Sequence, residues 1–182
     1  MLSKITQKWL SEKSACSEGV EWFLRREETH TIKIIQALVA EDKWSWANWT
    51  IVRVMNYKQK VQYAVFAAEQ VINIYEKKYP NNDKPRKAIE AAKKCIDSPS
   101  KENRSDAAAY AADAAADTDA AANAAADAAN AAAYATNAAA DAAAYAANAA
   151  ADAANSDVAA RNILRLKIIN YGIGLLEESD VK

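Results

Sequence analysis

Residues 134–155 read YATNAAADAAAYAANAAADAAN, an eleven-residue unit written twice. Alanine has the highest helix propensity, and over a window this long the weak preference of each residue sums to a firm helical reading. Tyr134, Asn137, Asp141, Tyr145, Asn148, Asp152 and Asn155 follow one another at steps of 3 or 4, the spacing of one helix face. At about 100° per residue, eleven residues return to within about 20° of the starting direction. A polar ribbon therefore runs along an otherwise alanine surface. Upstream, Asp106, Tyr110, Asp113 and Asp117 form a stripe of their own, rotated by about a quarter turn. The Asp117-Thr118-Asp119 triplet at the junction supplies caps rather than helix formers. The tract is thus expected to be at least two helices, divided within residues 116–121. Another start is expected at Asn155-Ser156-Asp157. Beyond it Val158, Ile163, Leu164, Ile168, Ile169, Leu175 and Leu176 supply a core stripe, with Gly172 and Gly174 weakening the last turns.

The rest of the chain agrees on an all-α fold. Its 182 residues are the size of one domain, and three glycines and three prolines punctuate too little for a β-rich protein. A first amphipathic segment carries Leu2, Ile5, Trp9 and Leu10 and ends near Ser14; a second carries Cys16, Val20, Phe23 and Leu24, capped by Ser17. Thr31 opens a third, with Ile32, Ile35, Leu38 and Val39 inward. Asp42 is expected to cap a tryptophan-rich helix bearing Trp44, Trp46, Trp49, Val52 and Met55. One helix is expected from about Lys58 to Lys78, then a break at Tyr79-Pro80-Asn81-Asn82-Asp83. Pro85 then sits in the first turn of a helix, where proline is welcome, and Ser98-Pro99-Ser100 ends that element. The heavy apolar residues lie before residue 97. The expectation is a compact multi-helix bundle: a helical core region over 1–97, with an alanine-rich helical region over 98–182 docked onto it as one co-folded domain.

No apolar run approaches the length that spans a membrane, and the N-terminus lacks the apolar core of a signal peptide. Cys16 and Cys95 then read as reduced, partly buried thiols of a cytoplasmic protein. The net charge of −1 hides an asymmetry: +6 over residues 1–104 and −7 over 105–182. Such a split bears on association with charged partners, or reflects two halves that face each other.

The stretch from Tyr63 to Cys95, YAVFAAEQVINIYEKKYPNNDKPRKAIEAAKKC, resembles the helical immunity proteins of bacterial and phage genomes, a family associated with polymorphic-toxin systems. The features that carry the resemblance are the YA-x-x-AAE helix, the PRKAIEAA element at Pro85–Ala92 and the alanine-rich tail studded with Tyr, Asp and Asn. ACSEGVEWF at Ala15–Phe23 and the tryptophans Trp44 and Trp49 also fit. The alanine repeats are purer here than the resemblance requires, and KPR stands where an arginine often precedes the proline. The resemblance implies a protein that neutralises a toxin by binding; it supplies neither a target nor a catalytic residue.

No catalytic or metal-ligating pattern is legible. His30 is the only histidine, and with two distant cysteines it makes no recognisable metal set. Glu69 and Glu90 could act as a carboxylate pair only if the fold joins them. No cofactor is expected. The candidate partner-binding residues are an acidic ribbon, Asp113, Asp117, Asp127, Asp141 and Asp152, together with Trp46 and the basic turn Lys84, Arg86 and Lys87. Cations at a helix N-terminus are unfavourable by up to about 1 kcal/mol, so a carboxylate, from Glu69 or an Asp of the alanine tract, or an anionic partner should offset Arg86. The leading reading is a non-enzymatic interaction protein whose acidic surface docks on a basic protein such as a nuclease toxin. Direct nucleic-acid binding is disfavoured, and pairing between copies of the chain stays open. The alternatives are a small-ligand or nucleotide module built on Arg86, and an alanine-rich structural or ice-binding helix. The last ranks third, because Thr118 and Thr136 make no regular threonine row.

Overall fold

The computed structural model describes residues 4–116, 120–133, 145–146, 148–150, 152 and 158–178. Ten helices are named here: α1 (Gln7–Glu12), α2 (Ser17–Leu24), α3 (Thr31–Ala40), α4 (Trp44–Val54), α5 (Tyr57–Glu69), α6 (Ile72–Lys78), α7 (Lys84–Asp97), α8 (Lys101–Ala115), α9 (Ala120–Ala133) and α10 (Val158–Glu178). Tyr145, Ala146, Asn148–Ala150 and Asp152 are helical as well. No strand occurs among the described residues; one isolated bridge joins Lys4 and His30. The fold is an all-α bundle.

Local sequence sets most helix ends. Thr6 Oγ1 accepts from the Trp9 amide at 3.1 Å, and Ser100 Oγ accepts from Asn103 at 3.1 Å. Asn56 and Gln59 form a reciprocal capping box at the start of α5. Cys16, rather than Ser17, caps α2, its sulfur accepting from the Gly19 amide at 3.4 Å. Asp42 does not cap α4. It ends α3 in the left-handed conformation at φ 55°, with its own N–H on Val39 O and the Lys43 N–H on Leu38 O. Ser14, at φ 58°, closes α1 the same way, with Ser14 N–H on Ser11 O and Ala15 N–H on Leu10 O. Both are Schellman closures built on residues other than glycine.

The helix expected over Lys58–Lys78 is two helices. The Gln70 N–H bonds Ala67 O and Ala68 O, and Val71 departs from helical geometry at φ −123°. Val71, Ile72 and Tyr75 are buried at and after the turn, and the face of Val61, Val65, Ala68, Ile72 and Tyr75, stepped by 4 and 3, runs on across it. The alanine tract divides where its stripe changes phase, between Ala115 and Ala120.

The alanine helices do not lie on a finished N-terminal body. α9 is central, packed against α5, α6, α7 and α8. Ala121, Ala122, Ala124, Ala125, Ala128, Ala129, Ala131 and Ala132 are all fully buried. Only a helix apolar nearly all round can be enclosed in this way, and methyl side chains let four neighbours approach one cylinder. The heavy core residues Tyr63, Ile72, Tyr75 and Ile89 are buried on the helices packed around α9, and Ile35 and Ile51 are buried on α3 and α4. In α10, Ile168, Ile169, Leu175 and Leu176 are buried as expected, whereas Val158 and Ile163 are 63% and 68% exposed and leave the core stripe. The first turns of α10 extend past the helices that cover its second half.

Gly172 costs α10 helix propensity but lets it dock. A Cβ there would lie 2.6 Å from Tyr63 Cε2 and 3.0 Å from Ile51 Cγ2, so only glycine admits the Tyr63 ring. Beside it, Phe66 and Tyr171 stack at 3.9 Å. Gln59, from the capping box, donates its side-chain Nε2 to Leu175 O at 2.5 Å and so ties α5 to α10.

Candidate functional site

Two cations of the basic turn, Arg86 and Lys87, are paired within the fold. Arg86 donates Nε to Glu76 Oε1 at 2.7 Å and Nη2 to Glu76 Oε2 at 2.9 Å, a two-pronged pair. The expected partner was Glu69 or an aspartate of the alanine tract. The break before α6 instead brings Glu76 against the first turn of α7. The pairing holds the Glu76 carboxyl below its usual range and raises Arg86, in both cases through this hydrogen-bonded contact. Lys87 pairs with Asp83 at 3.0 Å, and Lys84 is exposed, its backbone N–H donating to Asn82 Oδ1 at 3.2 Å. Glu76 and Asp83 thus offset the cations at this helix start. Glu69 and Glu90 are joined after all, but by Lys93, whose Nζ lies 2.8 Å from one and 2.9 Å from the other. An ion triad of this kind holds structure and leaves no carboxylate pair for proton transfer.

The tryptophans sit half-buried at the junction of α2 and α4. Trp22 and Trp46 meet edge to face at 6.4 Å, and Trp9 and Trp49 at 5.9 Å. Trp22 Nε1–H donates to Glu41 Oε2 at 2.7 Å, and Arg26 both pairs with Glu41 and lies 3.7 Å over the Trp22 ring. Lys43 lies 4.7 Å over Trp46. Trp46 is therefore a rim residue with one face against Trp22 and another under a cation.

The acidic ribbon divides into three environments. Asp113 is exposed on α8, in line with exposed Asp106 and with Tyr110 between them. Asp152 is exposed too, 3.9 Å from Arg165. Asp127 is different. It lies on α9 between Asn123 and Asn130, half-buried in a polar hollow of about 370 Å³ that Tyr145, Asn148 and Asp152 also line. Burial raises its carboxyl to about 6. Asp117 and Asp141 lie outside the described residues, as do Leu2, Thr118, Tyr134, Thr136, Asn137 and Asn155.

His30 is exposed at the N-cap position of α3 with no side-chain cap bond. Both cysteines are free thiols. Cys95 is buried, and burial pushes its thiol up, whereas Cys16 is exposed rather than partly buried, because its backbone begins α2 at the surface. Among the described residues no group of three His, Cys, Asp or Glu is placed to hold a metal ion, and no helix is long and apolar enough to cross a membrane.

Sequence reasoning did not single out Glu76, Asn48 or Gln59. Gln59 had a signal, the N-x-x-Q spacing of a capping box. Asn48 had none. It is buried within α4, accepting from Tyr63 Oη–H at 2.5 Å and donating Nδ2–H to Asn148 Oδ1 at 2.8 Å. That link ties the N-terminal helices to the alanine tract across 100 residues of sequence. Comparison with family models, with curated proteins and with solved structures found no match to this chain.

Proposed function

We propose that the chain is a non-enzymatic interaction protein of the immunity type, which neutralises a basic toxin or effector by binding it directly in the cytoplasm. A phage counter-defence protein would work in the same way. The observation that carries this reading is the outward face of α8. Asp106, Tyr110 and Asp113, spaced by 4 and 3, stand exposed on one side of that helix, and the chain holds no Lys or Arg between Arg104 and Arg161. A tyrosine between carboxylates offers the partner an aromatic anchor with an anionic rim, the composition of an interface hot spot. Lys87 of α7 lies near enough to Tyr110 and Asp113 to interact with them electrostatically, so the face is acidic with a basic edge; its net acidic character speeds encounter with an oppositely charged active site. Arg86 and Lys87 are already paired internally, which favours this reading over a nucleotide pocket at Arg86.

The experiment uses the partner isolated by cross-linking in the host. Association rates are measured for the wild type and for Asp106→Asn/Asp113→Asn across a salt series. Screening acts over about 10 Å at 0.1 M salt, so wild-type association should slow as salt rises and the variant should start slower, by about tenfold, and respond less. Equal rates with no salt dependence would show the α8 face to be a solvated surface.

A further inference from the structure

A cavity of about 350 Å³ lies between α1, α2, α3 and α4, and no residue of α8 lines it. Its walls are the apolar side chains of Ile5, Leu10, Phe23, Ile34 and Leu38, with the rings of Trp22, Trp46 and Trp49 around them. Tyr145 and Asn148, from the alanine tract, complete the lining. The cavity opens to solvent where the exposed residues Ser14, Cys16, Ser45 and Tyr145 form its rim. A cavity of this size falls within the range of small-molecule sites, which are mostly apolar with a few polar groups.

The lining also says what kind of molecule fits. Among the described residues no Asp, Glu, Lys, Arg or His lines it, so an ion entering beside these side chains would lose water with nothing from them to replace it. The polar groups are few, and several are committed. Trp22 Nε1–H is held by Glu41, and the Thr50 hydroxyl donates to Trp46 O at 2.8 Å. Asn148 Oδ1 accepts from Asn48, so what Asn148 has left to offer is its amide NH₂, a donor. The Ser45 hydroxyl and the Cys16 thiol stand at exposed positions on the same lining. An aromatic and aliphatic lining with an amide donor among its few polar groups suits a planar, uncharged molecule that carries a hydrogen-bond acceptor.

We infer that this cavity is a binding site for a neutral aromatic small molecule bearing a hydrogen-bond acceptor, with Cys16 on its lining. Because the lining joins the first fifty residues to Tyr145 and Asn148, the site exists only when the two halves of the chain are packed together. Occupancy therefore stabilises the folded chain by mass action. This site is independent of the α8 face, and either can fail without the other.

Quinoline is the probe: ten heavy atoms, neutral at pH 7.5, with one ring nitrogen as acceptor. 2-Naphthoate, of similar shape but anionic, is the control. Small ligands gain roughly 0.3 kcal/mol or more per heavy atom, so a dissociation constant on the order of 1 mM is the scale to detect. Binding is followed on the intact protein by the indole N–H resonances, and site-specifically by alkylation of Cys16 with iodoacetamide, read by mass spectrometry. Cys95 is buried and serves as the internal reference. Saturable quinoline binding that slows Cys16 alkylation severalfold, with naphthoate at least tenfold weaker, is the expected result. Ser45→Phe and Ala15→Phe each fill the cavity from a different side, and each should abolish quinoline binding while helical content is kept. If one of them fails to fold, the other decides. Absence of saturable binding to the folded wild type, naphthoate binding as tight as quinoline, or binding untouched by a folded filling variant would overturn the assignment.

Discussion

Replacing Asp127 by Asn should stabilise this protein at neutral pH and leave it unchanged in acid. The carboxyl stands at about 6 in the folded state because burial in the alanine-walled hollow disfavours its charge, against an ordinary value of 3.8. The two values are roughly two pH units apart, and each unit is worth about 1.4 kcal/mol. Full linkage would put the cost of ionising Asp127 near 3 kcal/mol. The group is only half-buried, and solvent at the mouth of the hollow screens it, so a cost of about 1–2 kcal/mol is the figure to expect. The sign follows from the raised value. Below about pH 4 both folded and unfolded chains hold the proton and nothing is lost. Between about pH 4 and 6 the unfolded chain releases it first, so stability falls as pH rises, and above 6 the full cost is present. Asn keeps the shape and removes the charge. Urea denaturation of both proteins at pH 3.5, 5 and 7.5 isolates the effect as a difference between variants, so other titrating groups cancel. The expected gain is near zero at pH 3.5 and about 1–2 kcal/mol at pH 7.5. A gain that does not depend on pH, or a loss at pH 7.5, would refute the burial argument and return Asp127 to the open surface.

Gly172→Ala gains roughly 1 kcal/mol of helix propensity but sets a Cβ 2.6 Å from the buried Tyr63 ring; a net destabilisation of about 1–2 kcal/mol is expected by urea titration, and a more stable variant would mean that the ring yields freely. Asp42→Gly should stabilise by up to about 1 kcal/mol, since the left-handed closure of α3 at φ 55° costs a residue with a Cβ more than it costs glycine; an unchanged melting temperature would argue against the strain. A double-mutant cycle on Arg86→Ala and Glu76→Ala should give a coupling of about 1 kcal/mol, not the 3–5 kcal/mol of a buried pair, because the two side chains are 34% and 36% exposed. Asn48→Ala leaves the buried Tyr63 hydroxyl without its acceptor and should cost about 1–3 kcal/mol, with faster amide exchange at Ala146 and Asn148–Ala150, which lose their tie to α4.

The helical class, the division of the alanine tract between Ala115 and Ala120, and the place of Pro85 in the first turn of α7 were determined by the sequence itself. Each rests on propensity, stripe phase or backbone restriction, which act within a few residues and need no partner. The exposed carboxylates of α8 were legible for the same reason, since a polar stripe at steps of 3 and 4 must share a face. Tertiary structure alone decided which helix is central, which glutamate meets Arg86, and where Asp127 lies. In α9 the apolar and polar spacing resembles that of α8, yet α9 is enclosed by four helices and α8 is open to solvent on one side. An alanine face carries no mark of what will cover it, because methyl groups accommodate a neighbour or water at nearly equal local cost. The break at Gln70–Val71 is likewise invisible to helix propensity, since the apolar face of Val61, Val65, Ala68, Ile72 and Tyr75 runs through it at steps of 3 and 4. It is also what brings Glu76 to Arg86. The aromatic cavity has the same origin: its lining comes from five stretches of chain, and only packing sets how much space their side chains leave unfilled.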